Sequence, residues 1–261
     1  MIVSHKHRFI FLRTEKTGGS SFLKVMHEQL DPSEFPADLP RPFWSKYTPI
    51  HHGGMRRAFP RLFGLHRHAT AKQVRDIIGR KVFDSYFKFA IERNPWDRQI
   101  SLYAHRQWKK GKSVDSFDRD MRSIFYRSAG HVKLNNWAVY AIDGQIVADR
   151  VLRYERLSEE LDEVLGELGL PQGLEMPRLR SYVPNRPHYS TYYSDYTRDL
   201  IAKWYANEVK ALGYQFETVD GSLRPGDRAA AAETDMSKTP LGDAAFGAAG
   251  PLAGNRLGDN G

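Results

Sequence analysis

Residues Phe9 to Leu12 form an apolar run with no polar alternation, and the chain turns through Gly18 and Gly19 soon afterwards. A strand that shows no alternation is buried on both faces, so Arg8 to Arg13 must lie inside a sheet covered on both sides. Beyond the glycines, Phe22, Leu23, Val25, Met26 and Leu30 recur at helical spacing. The same order returns at Phe87 to Ile91, where Asn94 can cap a helix with Pro95 at its first position and Asp97 in its first turn. Val147 to Tyr154 makes a third strand, followed by a helix that Ser158 caps, that carries Leu161, Val164, Leu165 and Leu168 on one face, and that Gly169 ends. Strand followed by helix, three times over, predicts an α/β fold with a mostly parallel sheet.

Between these units, Thr70 and Gln73 have capping-box spacing and start a helix through Val74, Ile77 and Ile78 to Gly79. A last helix is expected from about Ser194 to Leu212, stopped by Gly213. Six prolines between residues 31 and 65 predict an irregular surface excursion. From Gly221 the chain turns to Ala, Gly, Asp and Pro, which predicts one domain over residues 1–220 and a disordered low-complexity tail over 221–261. No cysteine occurs, so disulfides, thiolate metal sites and cysteine catalysis are excluded. Phe9 to Leu12 is too short for a signal-peptide core or a membrane span, and a cytoplasmic protein is expected. A net charge of +8 points to an anionic partner without saying which.

Chemistry concentrates where strands hand over to helices. Glu15-Lys16-Thr17-Gly18-Gly19-Ser20-Ser21-Phe22 joins a buried strand to a helix N-terminus. Backbone N–H groups converge on an anion there, and Lys16, Ser20 and Ser21 add donors, so the segment reads as a phosphate or sulfate cradle. A nucleotide P-loop puts its lysine after the last glycine; here Lys16 precedes the pair, which disfavours an ATPase or GTPase. Arg93-Asn94-Pro95-Trp96-Asp97-Arg98, with Ser101 in the following helix, offers a second phosphate site on the same rim of the sheet.

The pair of motifs in this order resembles the sulfotransferases that use 3′-phosphoadenosine 5′-phosphosulfate (PAPS), over about residues 7 to 217, and most of all a bacterial group related to the carbohydrate (heparan sulfate 2-O type) enzymes. The resemblance implies a P-loop-like three-layer fold with a central sheet flanked by helices. It implies that Lys16 meets the bridging oxygen of the donor, that Thr17, Gly18, Gly19, Ser20, Ser21 and Phe22 wrap the 5′-phosphosulfate, and that Arg93 and Ser101 hold the 3′-phosphate. Arg153 to Leu157 resembles a structural strand-to-helix segment. Asn185 to Tyr193 resembles a loop that closes over the nucleotide, which nominates Arg186 and Tyr189, although Ser190 stands where a basic residue is usual. A histidine between the two motifs serves as base in these relatives, which implies His68, with His66 and Glu15 as alternatives. The implied reaction moves a sulfuryl group from PAPS to an acceptor hydroxyl of a saccharide, polysaccharide or glycolipid and leaves 3′-phosphoadenosine 5′-phosphate (PAP), with no metal, nucleic acid or stable membrane insertion. The acceptor site is expected between Leu39 and Leu65.

Two other readings compete. A P-loop nucleotide phosphotransferase shares the glycine turn, yet Mg²⁺ ligands and a lysine after the glycines are not apparent. A basic nucleic-acid-binding protein could use Tyr103, His105, Arg106, Trp108, Lys109 and Lys110 as a stacking and phosphate-contacting face.

Overall fold

The computed structural model describes residues 1–30, 65–128, 132–177 and 186–219. Most of the proline-rich excursion, His51 and His52, Asn185 and the C-terminal tail lie outside the described residues, as does nearly all of the region assigned to the acceptor.

Four strands form the main sheet: β1 (Ile2–Ser4), β2 (Phe9–Leu12), β3 (Phe87–Glu92) and, named here in chain order after a separate two-stranded hairpin of β4 (Ala141–Ile142) and β5 (Gln145–Ile146), β6 (Arg150–Arg153). Their order is β1-β2-β3-β6. β1 pairs antiparallel to β2, with Val3 opposite Ile10, whereas β2, β3 and β6 run parallel, with Phe11 opposite Phe89 and Ile91 opposite Leu152. The sheet is therefore mostly parallel, and its central strands are apolar because both faces are covered.

Alternation along the strands divides the core into two layers. Ile2, Phe9, Phe11, Phe89, Ile91 and Leu152 face one side and meet Phe22, Met26 and Leu30 of α1 (Gly19–Gln29). Leu161, Val164 and Leu165 of a later helix pack into the same layer. Val3, Ile10, Leu12 and Ala90 face the other side, against Ala71 and Val74 of α2 (Ala71–Ile78) and Phe83 of α3 (Arg80–Ser85). The capping box at α2 is present, since Thr70 accepts from the Gln73 amide while the Gln73 side chain accepts from the Thr70 amide. A third apolar cluster is built by α4 (Pro95–Trp108), α5 (Phe117–Arg122) and the last helices, with Trp96, Tyr103, Phe117, Tyr193 and Phe216 at its centre. The chain continues through α6 (Ile124–Ser128) and α7 (Trp137–Tyr140). Among the described residues no helix is long and apolar enough to cross a membrane.

The structure corrects several boundaries. Strand β6 begins at Arg150 rather than Val147, and a 3₁₀ turn at Tyr154–Arg156 leads straight into α8 (Leu157–Glu167), so Ser158 lies inside the helix instead of capping it. The last helix is two, α9 (Asp195–Trp204) and α10 (Ala206–Leu212). Tyr205 interrupts them because its ring covers Arg98 at 4.3 Å while its hydroxyl donates to Gln99 and accepts from the Leu134 amide.

Candidate active site

Parallel strands direct their carboxyl ends to one rim, where β2, β3 and β6 release the segments Arg13 to Ser21, Arg93 to Asp97 and Tyr154 to Arg156. That rim is where α/β sheets bind ligands.

The first segment is held by its own backbone and by distant side chains. Lys16 takes a positive φ of 66°, a conformation that a lysine adopts only when its surroundings impose it. Thr14 donates to the Ile91 carbonyl on β3 and shares a 2.7 Å hydrogen bond with Thr17. Gly18, at φ 78°, precedes α1, and no side chain caps that helix. A Cβ on Gly18 would stand 3.0 Å from the Tyr154 ring, and one on Gly19 would stand 3.0 Å from Arg13 Cγ. Both glycines thus sit in tight contact with a neighbouring side chain, and Gly18 is also favoured by its left-handed conformation. Arg13 Nη2 donates to Ser20 Oγ at 2.7 Å.

Of the residues assigned to the cradle, Lys16, Gly18 and Ser20 reach partly exposed positions on the rim. Thr17 is buried, with its hydroxyl bonded to that of Thr14. Phe22 is fully buried against Phe11 and Phe89, at 4.5 and 5.8 Å between ring centroids, and its side chain belongs to the core.

In the second segment Arg93 donates through Nε and Nη2 to Asp97 Oδ2, at 2.8 and 2.6 Å. Arg186 pairs with the other oxygen of the same carboxylate. Burial alone would raise the Asp97 pKa, but the two guanidinium groups outweigh it and hold the carboxyl below its ordinary value. Arg186 Nη1 is buried with no hydrogen-bond partner among the described residues. Ser101 lies four residues beyond Asp97 on α4, hence on the same helix face. Tyr189 is different: its hydroxyl accepts from the Glu217 amide at 2.7 Å and from Asn94, which makes it a packing residue beneath the loop.

Tyr154 joins the two segments. Its ring is the atom group that limits Gly18, and the Arg93 guanidinium lies 4.4 Å from the same ring's centroid. The sequence marks Arg153 to Leu157 as mainly structural, because a tyrosine between charged residues carries no signal of what it touches.

His68 precedes α2, and its Nδ1 lies 3.0 Å from the Arg13 carbonyl. A carbonyl oxygen only accepts, so Nδ1 carries the proton and Nε2 keeps a free lone pair. His66 Nδ1 accepts from the His68 amide at 3.1 Å, which in the neutral ring leaves its proton on Nε2. Burial, assisted by Arg13 and His66, lowers the His68 pKa to about 2, with the Arg13 carbonyl opposing the shift. The Arg13 side chain also lines a cleft of about 460 Å³ with Ser20, Leu23, Lys24, His27, Glu28 and Arg67. Sequence reading missed Arg13, which it took only as the end of a strand.

Among the described residues no cluster of three or more His, Asp or Glu could hold a metal ion. Of the residues named for a nucleic-acid face, Tyr103 is buried, with its hydroxyl hydrogen-bonded to Ser116 and Asp120, whereas Trp108 is exposed.

The glycine turn and the arginine pair thus stand at the carboxyl ends of two neighbouring parallel strands of one α/β sheet. The model of the sulfotransferase family matches residues 1–215, and the chain belongs to that family. It is also 29% identical over 116 residues to an uncharacterized protein of Archaeoglobus fulgidus, covering 41% of this chain and 87% of the other. No solved structure matches.

Proposed function

We propose that this sulfotransferase uses PAPS as donor and a saccharide hydroxyl as acceptor, with His68 as the base, on a P-loop-like three-layer fold acting in the cytoplasm. The observation that carries the reading is the Tyr154 ring, which meets Gly18 of one anion segment and Arg93 of the other. A donor with phosphate groups at both ends of a nucleoside needs two such sites on one rim.

PAPS supplies a sulfuryl group on a phosphosulfate linkage. Lys16, at the entrance to α1, neutralises charge on the oxygen that departs with the 5′-phosphate, and the Gly19 and Ser20 amides at the uncapped start of α1 add N–H groups, the Ser21 amide being bonded to the Gly18 carbonyl. Arg93 and Arg186 hold the 3′-phosphate, with Ser101 as a further hydroxyl contact. The Arg186 Nη1 group, buried and unpaired among the described residues, fits that role. As the acceptor oxygen bonds to sulfur and the bond from sulfur to the phosphate oxygen breaks, the hydroxyl proton passes to His68 Nε2. The tautomer fixed by the Arg13 carbonyl favours His68 over His66, whose Nδ1 is already engaged. An anionic donor beside Arg13 offsets the cation that helps to depress the His68 pKa, and so raises the proton affinity of the base.

Thermal unfolding with PAP and with AMP tests the donor assignment, because a ligand of the folded state raises the melting temperature by mass action. PAP should stabilise strongly and AMP weakly, and Arg93→Ala should remove the difference. Equal stabilisation by the two nucleotides would sink the reading. Transfer of labelled sulfate from PAPS to a panel of glycans and simple alcohols then identifies the acceptor.

A further inference from the structure

We propose that Asn136 is a positioning residue that sets the conformation of the Lys16 segment, an inference that rests on the donor reading above. Asn136 is buried at the position just before α7, where an asparagine ordinarily caps its own helix. Its side chain makes no such cap. It reaches instead to the turn that follows β2, where Oδ1 accepts from the Glu15 amide at 2.9 Å and Nδ2 donates to the Glu15 carbonyl at 3.0 Å. One side-chain amide thus satisfies both backbone groups of the residue that precedes Lys16, much as a neighbouring strand would.

Lys16 follows with its φ of 66°, a state unfavourable for a residue with a side chain, which persists only when neighbours fix it. The two-point hold on Glu15 is such a fixture. Asn136 is itself oriented by Glu92 at the end of β3, whose Oε1 accepts from Asn136 Nδ2 at 3.3 Å, from the Arg93 amide at 2.9 Å and from Arg98 at 2.5 Å. With Oδ1 turned to the Glu15 amide and Nδ2 to two acceptors, the amide has one orientation that satisfies every partner. The ammonium of Lys16 is therefore aimed by a residue on another element, 120 positions along the chain.

A role confined to holding the fold predicts a different pattern from one that aims Lys16, and a double-mutant cycle on PAP affinity separates them. Asn136→Ala should weaken PAP binding about tenfold, as loss of two backbone hydrogen bonds at a strained segment implies. In a Lys16→Ala background the same change should cost no more than about twofold, because there is no longer an ammonium to aim. The ratio of PAP to AMP affinity, which reads the Arg93 side of the site, should stay within about twofold of wild type. Should Asn136→Ala fail to fold, Asn136→Ser carries the same cycle, since its shorter side chain stays polar but cannot span both contacts to Glu15. Equal losses in both backgrounds, or collapse of the PAP to AMP ratio, would overturn the positioning role while leaving the donor reading intact. A wild-type chain that binds no PAP overturns both.

Discussion

His68→Asn tests whether the proposed base sits neutral in a dry site. An ordinary imidazole titrates near 6.5, and burial lowers that of His68 to about 2. The folded-state value lies below the unfolded one, so on acidification the unfolded chain takes up the proton first. The stability contributed by neutral His68 is complete above pH 6.5 and is lost progressively as the pH falls towards the folded value. One proton is worth about 1.4 kcal/mol per pH unit, so between pH 6.5 and about pH 4.5 His68 alone should cost the protein roughly 2–3 kcal/mol. An asparagine keeps an N–H in the place of Nδ1 for the Arg13 carbonyl and does not titrate. Urea unfolding of both proteins at about pH 7.5 and about pH 4.5 isolates the effect, because all other titrating groups are common to the pair. The wild-type chain should lose roughly 2–3 kcal/mol more than the variant. A difference below about 0.5 kcal/mol would mean that water reaches the imidazole, and the neutral-base argument would fail.

Two further variants probe the frame around the site. Arg98 is fully buried between Glu92, at 2.5 Å, and Glu208, at 3.2 Å. Arg98→Met leaves both carboxylates without their cation and should cost about 3–5 kcal/mol near neutral pH, shrinking as acid protonates Glu92, whose pKa burial already raises; a loss under about 1 kcal/mol in urea unfolding would contradict this. Gly18→Ala places a methyl group at a left-handed φ and 3.0 Å from Tyr154, so it should lower stability by about 1–3 kcal/mol and weaken PAP binding, as calorimetry can establish. Unchanged affinity would show that the turn does not shape the cradle.

How much of this was legible depended on whether the cause was local. Strands β2 and β3 announced themselves because burial on both faces removes polar alternation, and α2 and α4 did so through caps that act within three residues. The break at Tyr205 was invisible, since α9 and α10 share a continuous helical pattern and only Gln99, Leu134 and Arg98 stop it. Ser158 misled for a related reason: the 3₁₀ turn before it already satisfies the helix entry. Within the site, Lys16, Gly18 and Arg93 could be named from their motifs. Arg13, Asn136 and Tyr154 could not, because each acts through a partner remote in sequence. Phe22 and Tyr189 belong to motifs yet serve the core, a distinction that spacing does not encode.

The contacts that close the rim also set when it can exist during synthesis. Asn94 donates to the Gln215 carbonyl, the Glu217 amide donates to Tyr189, and Glu208 completes the pairing of Arg98. Strand β2 meanwhile waits for β3, whose first residue pairs with it 78 positions later. A ribosome that has exposed the glycine turn has exposed an anion cradle without walls. If the proposed donor reading holds, the nascent chain cannot hold a nucleotide tightly until residues near 217 clear the exit tunnel, so binding competence should appear late and in one step, a timing that stalled chains of graded length would reveal.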